Sequence, residues 1–211
     1  MDRLFVKICG VTNADDAICA AESGADAIGF NFYASGKRFI VPEEAREISE
    51  ALDVSILRVG VFVNPQREDV NATIRNVALN AIQFSGNETP QEISGYNVKA
   101  FKAIHVTGVD SLAALKLYSV DAFLLDTYRD GEFGGTGETF DWDVARKAKQ
   151  FGNVILAGGL TPQNVSAAVR LVHPYGVDVS SGVESRPGIK DHKKIKDFIR
   201  RAREEHARHR A

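Results

Sequence analysis

Cysteine, tryptophan and methionine are nearly missing from this chain: its 211 residues hold two, one and one, with six prolines. The two cysteines, Cys9 and Cys19, make no disulfide framework and have no metal-ligand spacing, so disulfide scaffolds and zinc modules are excluded. Long hydrophobic runs are absent as well, and no stretch approaches the ~18 apolar residues of a membrane-crossing helix. Charge of one sign is not in excess: 26 basic against 28 acidic residues leave a formal net charge of −2, which offers no electrostatic footprint for nucleic acid. The opening Met1-Asp2-Arg3-Leu4-Phe5-Val6-Lys7 lacks the basic and apolar regions of a secretory signal, so the cytoplasm is the expected location. What remains, 44% hydrophobic and 26% charged residues, is the composition of an ordinary globular protein.

Short apolar runs recur at 4–9, 27–32, 56–63, 81–84, 98–106, 121–125, 154–157 and 177–179. They are too brief for helices, and runs of this kind mark strands covered on both faces. Between them lie segments with helical spacing. Ala14, Ala17, Ile18 and Ala21 follow the cap candidate Thr12, and Val165, Ala168, Val169 and Val172 follow Thr161-Pro162. Strand and helix alternate, which implies βαβ units and a parallel sheet. Eight units of about 25 residues need about 200, so the chain is expected to form one α/β domain over 1–211, a small eight-stranded parallel (β/α)8 TIM barrel. An open doubly wound sheet is the alternative, but it usually carries its glycine-rich turn after the first strand, whereas here those turns come late. The basic segment 190–211 reads as an amphipathic closing helix with a solvated face, because Ile195, Phe198, Ile199 and Ala202 repeat at helical spacing.

Barrel active sites sit at the C-terminal ends of the strands, so polar residues there are the candidates. Alternation puts Lys7 and Cys9 inside the barrel, and an ammonium beside a thiol favours the thiolate, giving a base or nucleophile usable near neutrality. A buried, inert cysteine is the other reading of Cys9; Cys19, inside the first helix, is assigned that role. Asp126 ends the sixth strand as either a general acid or a helix cap. The glycine-rich stretch 127–137 after it is long enough to be a lid. Two glycine loops are paired: Gly158-Gly159 after the seventh strand, and Ser180-Ser181-Gly182 after the eighth. Together they make a phosphate cup, since glycines let a dianion approach backbone amides, hydroxyls add donors and helix N-termini supply positive potential. Arg38, after the second strand, is a bidentate carboxylate binder or a solvated loop residue. Gln83, near the end of the fourth strand, is an amide that needs partners. His105, at the end of the fifth, is given no role.

In order, Lys7-Ile8-Cys9-Gly10, the loop ending at Arg38, Leu124-Leu125-Asp126-Thr127, Gly134-Gly135-Thr136-Gly137 with Phe140-Asp141-Trp142, Ala157-Gly158-Gly159-Leu160 and Gly176-Val177-Asp178-Val179-Ser180-Ser181-Gly182-Val183-Glu184 closely resemble the phosphoribosylanthranilate isomerases. The resemblance spans nearly the whole chain. It implies an isomerase of tryptophan biosynthesis that converts N-(5'-phosphoribosyl)anthranilate to 1-(2-carboxyphenylamino)-1-deoxyribulose 5-phosphate, an Amadori rearrangement without cofactor or metal. By resemblance Asp126 is the general acid and Cys9 the general base. Gly158, Gly159, Ser180, Ser181 and Gly182 match the phosphate handle, Arg38 the carboxylate handle, and Asp178 a residue near the sugar hydroxyls. Two departures stand out. The family's Ser-Pro-Arg is Gly36-Lys37-Arg38 here, which removes a proline that would restrain the arginine. Its Gln-Leu-His-Gly is Gln83-Phe84-Ser85-Gly86, so that histidine's role does not transfer. The expected partner is a small phosphorylated substrate, with no nucleic acid or membrane, and the chain is a monomer or homodimer. Alternatives are another sugar-phosphate barrel isomerase or a phosphate-binding barrel without catalysis.

Overall fold

The computed structural model describes residues 3–105, 109–126 and 142–209. Eight parallel strands close into a barrel in sequence order: β1 (Phe5–Cys9), β2 (Ala27–Asn31), β3 (Leu57–Phe62), β4 (Ala81–Phe84), β5 (Lys99–His105), β6 (Ala122–Asp126), β7 (Val154–Leu156) and β8 (Gly176–Val179). Closure is made by β1 against β8, with Lys7 level with Asp178. All eight expected runs form strands, within a residue or two of the expected limits. Two apolar layers follow from the two-residue strand period. Phe5, Ala27, Val59, Ala81, Phe101, Ala122, Leu124 and Ile155 fill the lumen. Val6, Ile8, Ile28, Phe30, Ile82, Phe123, Leu125 and Val177 point outward and pack under the helices. Each fully buried aliphatic side chain of this kind contributes about 1.5–3 kcal/mol by leaving water.

The helices are α1 (Ala14–Glu22), α2 (Pro42–Glu50), α3 (Arg67–Val77), α4 (Trp142–Ala148), α5 (Val165–Val172) and α6 (His192–Arg208). α6 buries Ile195, Phe198, Ile199 and Ala202 as the spacing predicts. Three local readings change. The side chain that caps α1 is Asn13, which accepts from the Asp16 amide, while Thr12 donates to the Gly188 carbonyl. Thr161-Pro162 does not open α5 directly; a turn tied by Asn164 Oδ1 to the Thr161 amide comes first. Between β5 and β6 the α-helix position is taken by a 3-10 helix, Val109–Leu117, and between β4 and β5 alternation lapses altogether, because residues 85–98 contain no helix. That segment is held instead by Glu88, whose carboxylate accepts from the Asn64 and Gly86 amides and from Lys102, all in the buried or half-buried interior. Among the described residues, no helix is long and apolar enough to cross a membrane.

Candidate active site

The site begins with β1. Its inward face carries Phe5, Lys7 and Cys9, as the alternation requires, and Lys7 is fully buried. A buried ammonium has to find acceptors, and this one has two: Nζ donates to Asp178 Oδ1 at 2.7 Å and to Gln83 Oε1 at 2.9 Å. Lys7 therefore joins two residues that the sequence nominated separately, one on β8 and one on β4. Gln83 passes the chain on, donating from Nε2 to Ser85 Oγ at 3.0 Å. Burial pulls the Lys7 ammonium down, but Asp178 and Cys9 more than offset this and hold it above the usual lysine value.

Cys9 sits half-buried one pleat above Lys7, beside Gly29 of β2. A Cβ at Gly29 would lie 2.9 Å from Cys9 Sγ and 3.1 Å from Lys7 Cε, so glycine makes the room these two side chains use. Burial is the largest influence on the thiol and pushes it up; Lys7 and Lys190 pull it down, Asp178 pushes it up, and it ends above the usual cysteine value. Proximity to Lys7 thus does not by itself bring the thiol below its ordinary value. Lys7 divides its charge between the thiol and the Asp178 carboxylate, leaving too little to overcome desolvation.

Asp126 ends β6 on the lumen face of Ala122 and Leu124, half-buried and in register with His105 of β5. β6 and β1 are separated around the barrel by β7 and β8, so Cys9 and Asp126 approach the mouth from well-separated strands. The candidate lid, 127–137, and Phe140-Asp141 lie outside the described residues.

The two glycine loops meet at this same rim. Gly158 and Gly159 have φ of +72° and +63°, in the left-handed region where a side chain is strained. Nothing lies within 4 Å of where a Cβ on Gly159 would be. A Cβ on Gly182 would run into the Leu160 carbonyl, so its lack of a side chain lets the β7 and β8 loops touch. Ser180 Oγ is buried and has no hydrogen-bond partner among the described residues, a donor waiting for an acceptor. Ser181 is exposed at the start of a single 3-10 turn, Ser181–Val183. That turn is followed by the hairpin β9 (Glu184–Arg186) and β10 (Ile189–Lys190), and α6 starts at His192.

Arg38 is not a solvated loop residue. Its side chain lies over Gly10, whose φ is +68° and where a Cβ would collide with Arg38 Cδ. Its Nε and Nη2 donate to Glu184 Oε1 and Oε2 at 2.6 and 2.7 Å. Glu184 in turn accepts from Lys190 Nζ at 3.0 Å, and the same Nζ donates to the Cys9 carbonyl at 2.7 Å. Lys190, read from the sequence as part of a solvated basic face, is 4% exposed and belongs to the barrel mouth. Glu184 and Lys190 are the positions at this rim that sequence reasoning did not nominate. Glu184 stood at the end of a recognised motif; Lys190 had no signal beyond its position shortly after Gly188.

Every nominated residue (Cys9, Arg38, Gln83, Asp126, Gly158, Gly159, Asp178, Ser180, Ser181 and Gly182) therefore lies at or just beyond the C-terminal end of a strand. The family model for N-(5'-phosphoribosyl)anthranilate isomerase matches residues 6–201. The N-(5'-phosphoribosyl)anthranilate isomerase of Geotalea uraniireducens is 50% identical over 198 residues, spanning 94% of this chain and 98% of its own. The crystal structure of the Thermotoga maritima phosphoribosyl anthranilate isomerase superposes with a TM-score of 0.88 at 43% identity, covering 94% of this chain and 98% of that one. A phosphoribosyl anthranilate isomerase in complex with reduced 1-(o-carboxyphenylamino)-1-deoxyribulose 5-phosphate gives 0.84 at 41% identity, with the same coverage. The chain belongs to the N-(5'-phosphoribosyl)anthranilate isomerase family.

Proposed function

We propose that this isomerase converts N-(5'-phosphoribosyl)anthranilate to 1-(2-carboxyphenylamino)-1-deoxyribulose 5-phosphate in tryptophan biosynthesis. Asp126 acts as general acid and Cys9 as general base. The observation that carries this reading is the grouping of two candidate proton-transfer residues, a glycine-lined cup with a buried hydroxyl that has no partner among the described residues, and an arginine on one barrel rim.

Asp126 gives its proton to the furanose ring oxygen as the anthranilate nitrogen lone pair forms the C1=N bond and the C1–O bond breaks. Cys9, as thiolate, then takes the proton from C2, and that electron pair moves into C1=C2 while the C=N electrons return to nitrogen. Protonation of C1 and loss of the C2 hydroxyl proton yield the ketone. C1 is reduced and C2 oxidised within one molecule, so no external redox partner enters. General acid and base groups of this kind each contribute about 10²–10⁴-fold. The phosphate lies against Gly158, Gly159, Ser180, Ser181 and Gly182, Arg38 receives the anthranilate carboxylate, and Asp178, with Gln83 beside it on Lys7, faces the sugar hydroxyls. Two anionic handles hold the reacting carbons between acid and base.

The test is turnover by the purified protein, followed as loss of anthranilate fluorescence in the presence of a chelator. The expected result is full conversion to the amino-ketose. Binding of the substrate without fluorescence loss would leave a phosphate-binding barrel instead.

A further inference from the structure

Three charged side chains at the barrel mouth form a linear array whose middle member is accounted for neither by the acid–base pair nor by the phosphate cup. Arg38 bonds Glu184 through two contacts of 2.6 and 2.7 Å, and Glu184 bonds Lys190 at 3.0 Å. Glu184 is 8% exposed and Lys190 4%. Glu184 also accepts the Gly188 amide at 3.3 Å through the same Oε1. Lys190 is itself fixed from β1 and the β8 loop, donating to the Cys9 and Ser180 carbonyls at 2.7 and 3.3 Å. The array thus ties the arginine loop to the strand end that carries Cys9.

Its geometry is directional. A guanidinium has two faces that accept a carboxylate in a fork, the Nε–Nη2 side and the Nη1–Nη2 end. Glu184 occupies the side, which leaves the end as the face not engaged by Glu184. Its charge is also consistent with reception of an anion: Arg38 and Lys190 carry two positive charges against the one negative charge of Glu184, so the array is net cationic. Without Lys190 the arginine would be neutralised by its own anchor.

We propose that Glu184 and Lys190 are positioning residues for substrate-carboxylate recognition: Glu184 holds Arg38 by its side so that the Nη1–Nη2 end receives the anthranilate carboxylate, and Lys190 keeps that receptor cationic. This rests on the assignment of Arg38 to the carboxylate made above. The test compares two substrates, N-(5'-phosphoribosyl)anthranilate and the aniline analogue that lacks only the carboxylate, on Glu184→Gln, Lys190→Met, Arg38→Met and the Arg38→Met/Glu184→Gln double variant. The expected loss in kcat/KM on the carboxylate substrate is about 10-fold for Glu184→Gln, with little change on the analogue. Arg38→Met shows the same selective loss, and the double variant is no worse than Arg38→Met alone, because the two act as a unit. Glu184→Asp, which keeps the charge but shortens the reach, falls between wild type and Gln, and serves as the second variant if Gln impairs folding. Equal losses on both substrates, or additive losses in the double variant, overturn the positioning role. If Arg38→Met spares the carboxylate substrate, both the proposal and the Arg38 assignment fall; if it is selective while Glu184→Gln costs nothing, only the proposal does.

Discussion

Replacing Lys7 by methionine tests the interior of the site at its centre. The substitution keeps most of the side-chain volume but removes the ammonium that donates to Asp178 and Gln83 at 2.7 and 2.9 Å. Asp178 is 8% exposed, so its carboxylate would be left charged, buried and without its cation. Removing one member of a buried pair typically costs about 3–5 kcal/mol. For a chain of this size each kcal/mol moves the melting temperature by about 2–4 °C, so a fall of roughly 6–20 °C is expected. Adding Asp178→Asn removes the stranded charge, and the double variant should recover part of that loss. The same substitution acts on Cys9. Burial and Asp178 still push the thiol up while the strongest opposing charge is gone, so its titration moves further to the alkaline side. Calorimetric melting measures the first effect, and the pH dependence of thiol alkylation in a Cys19→Ala background measures the second. A Lys7→Met protein melting within about 2 °C of wild type, or a double variant less stable than Lys7→Met, would refute the reasoning.

Two further outcomes follow from the rim. Ser180→Ala removes a buried hydroxyl with no partner among the described residues, so stability should hold or rise slightly, while affinity for the reduced product analogue falls about 10-fold by titration calorimetry; a large loss of stability with unchanged affinity contradicts the phosphate role. Burial pushes the Glu184 carboxyl up, but Arg38 and Lys190 outweigh it and hold the group below the usual glutamate value. Its contribution to stability is therefore fully present above the unfolded glutamate value and is lost as pH falls through the depressed folded one. The melting-temperature gap between wild type and Glu184→Gln should accordingly close as the pH is lowered through that range, and a gap that widens would contradict the ion-pair assignment.

The barrel was legible in the sequence because strands covered on both faces are written as short unbroken apolar runs, and alternation along β1 alone put Lys7 and Cys9 in the lumen. The glycine loops were legible for a related reason: positive φ at Gly158 and Gly159 favours glycine, and the contact of Gly182 with Leu160 leaves no room for a side chain. What could not be read were partnerships created by closure. Arg38 meets Glu184 across 146 positions and Lys190 meets the Cys9 carbonyl across 181, and no local pattern encodes either. Lys190 stands in a basic stretch whose neighbours really are solvated, so composition pointed the wrong way. The missing helix at 85–98 was hidden similarly, since Glu88 and Lys102 stabilise that segment through buried bonds that hydropathy does not register. The upward push on the Cys9 thiol comes first from burial in the closed barrel and then from Asp178, which meets Lys7 across 171 positions.

The most direct test of the acid–base assignment measures turnover and product-analogue binding together in Cys9→Ser and Asp126→Asn. Both substitutions leave the glycine loops and Arg38 in place. The account predicts that each variant loses at least about 10²-fold in kcat while binding reduced 1-(2-carboxyphenylamino)-1-deoxyribulose 5-phosphate within a few-fold of wild type. Retention of near wild-type turnover by either variant would contradict it.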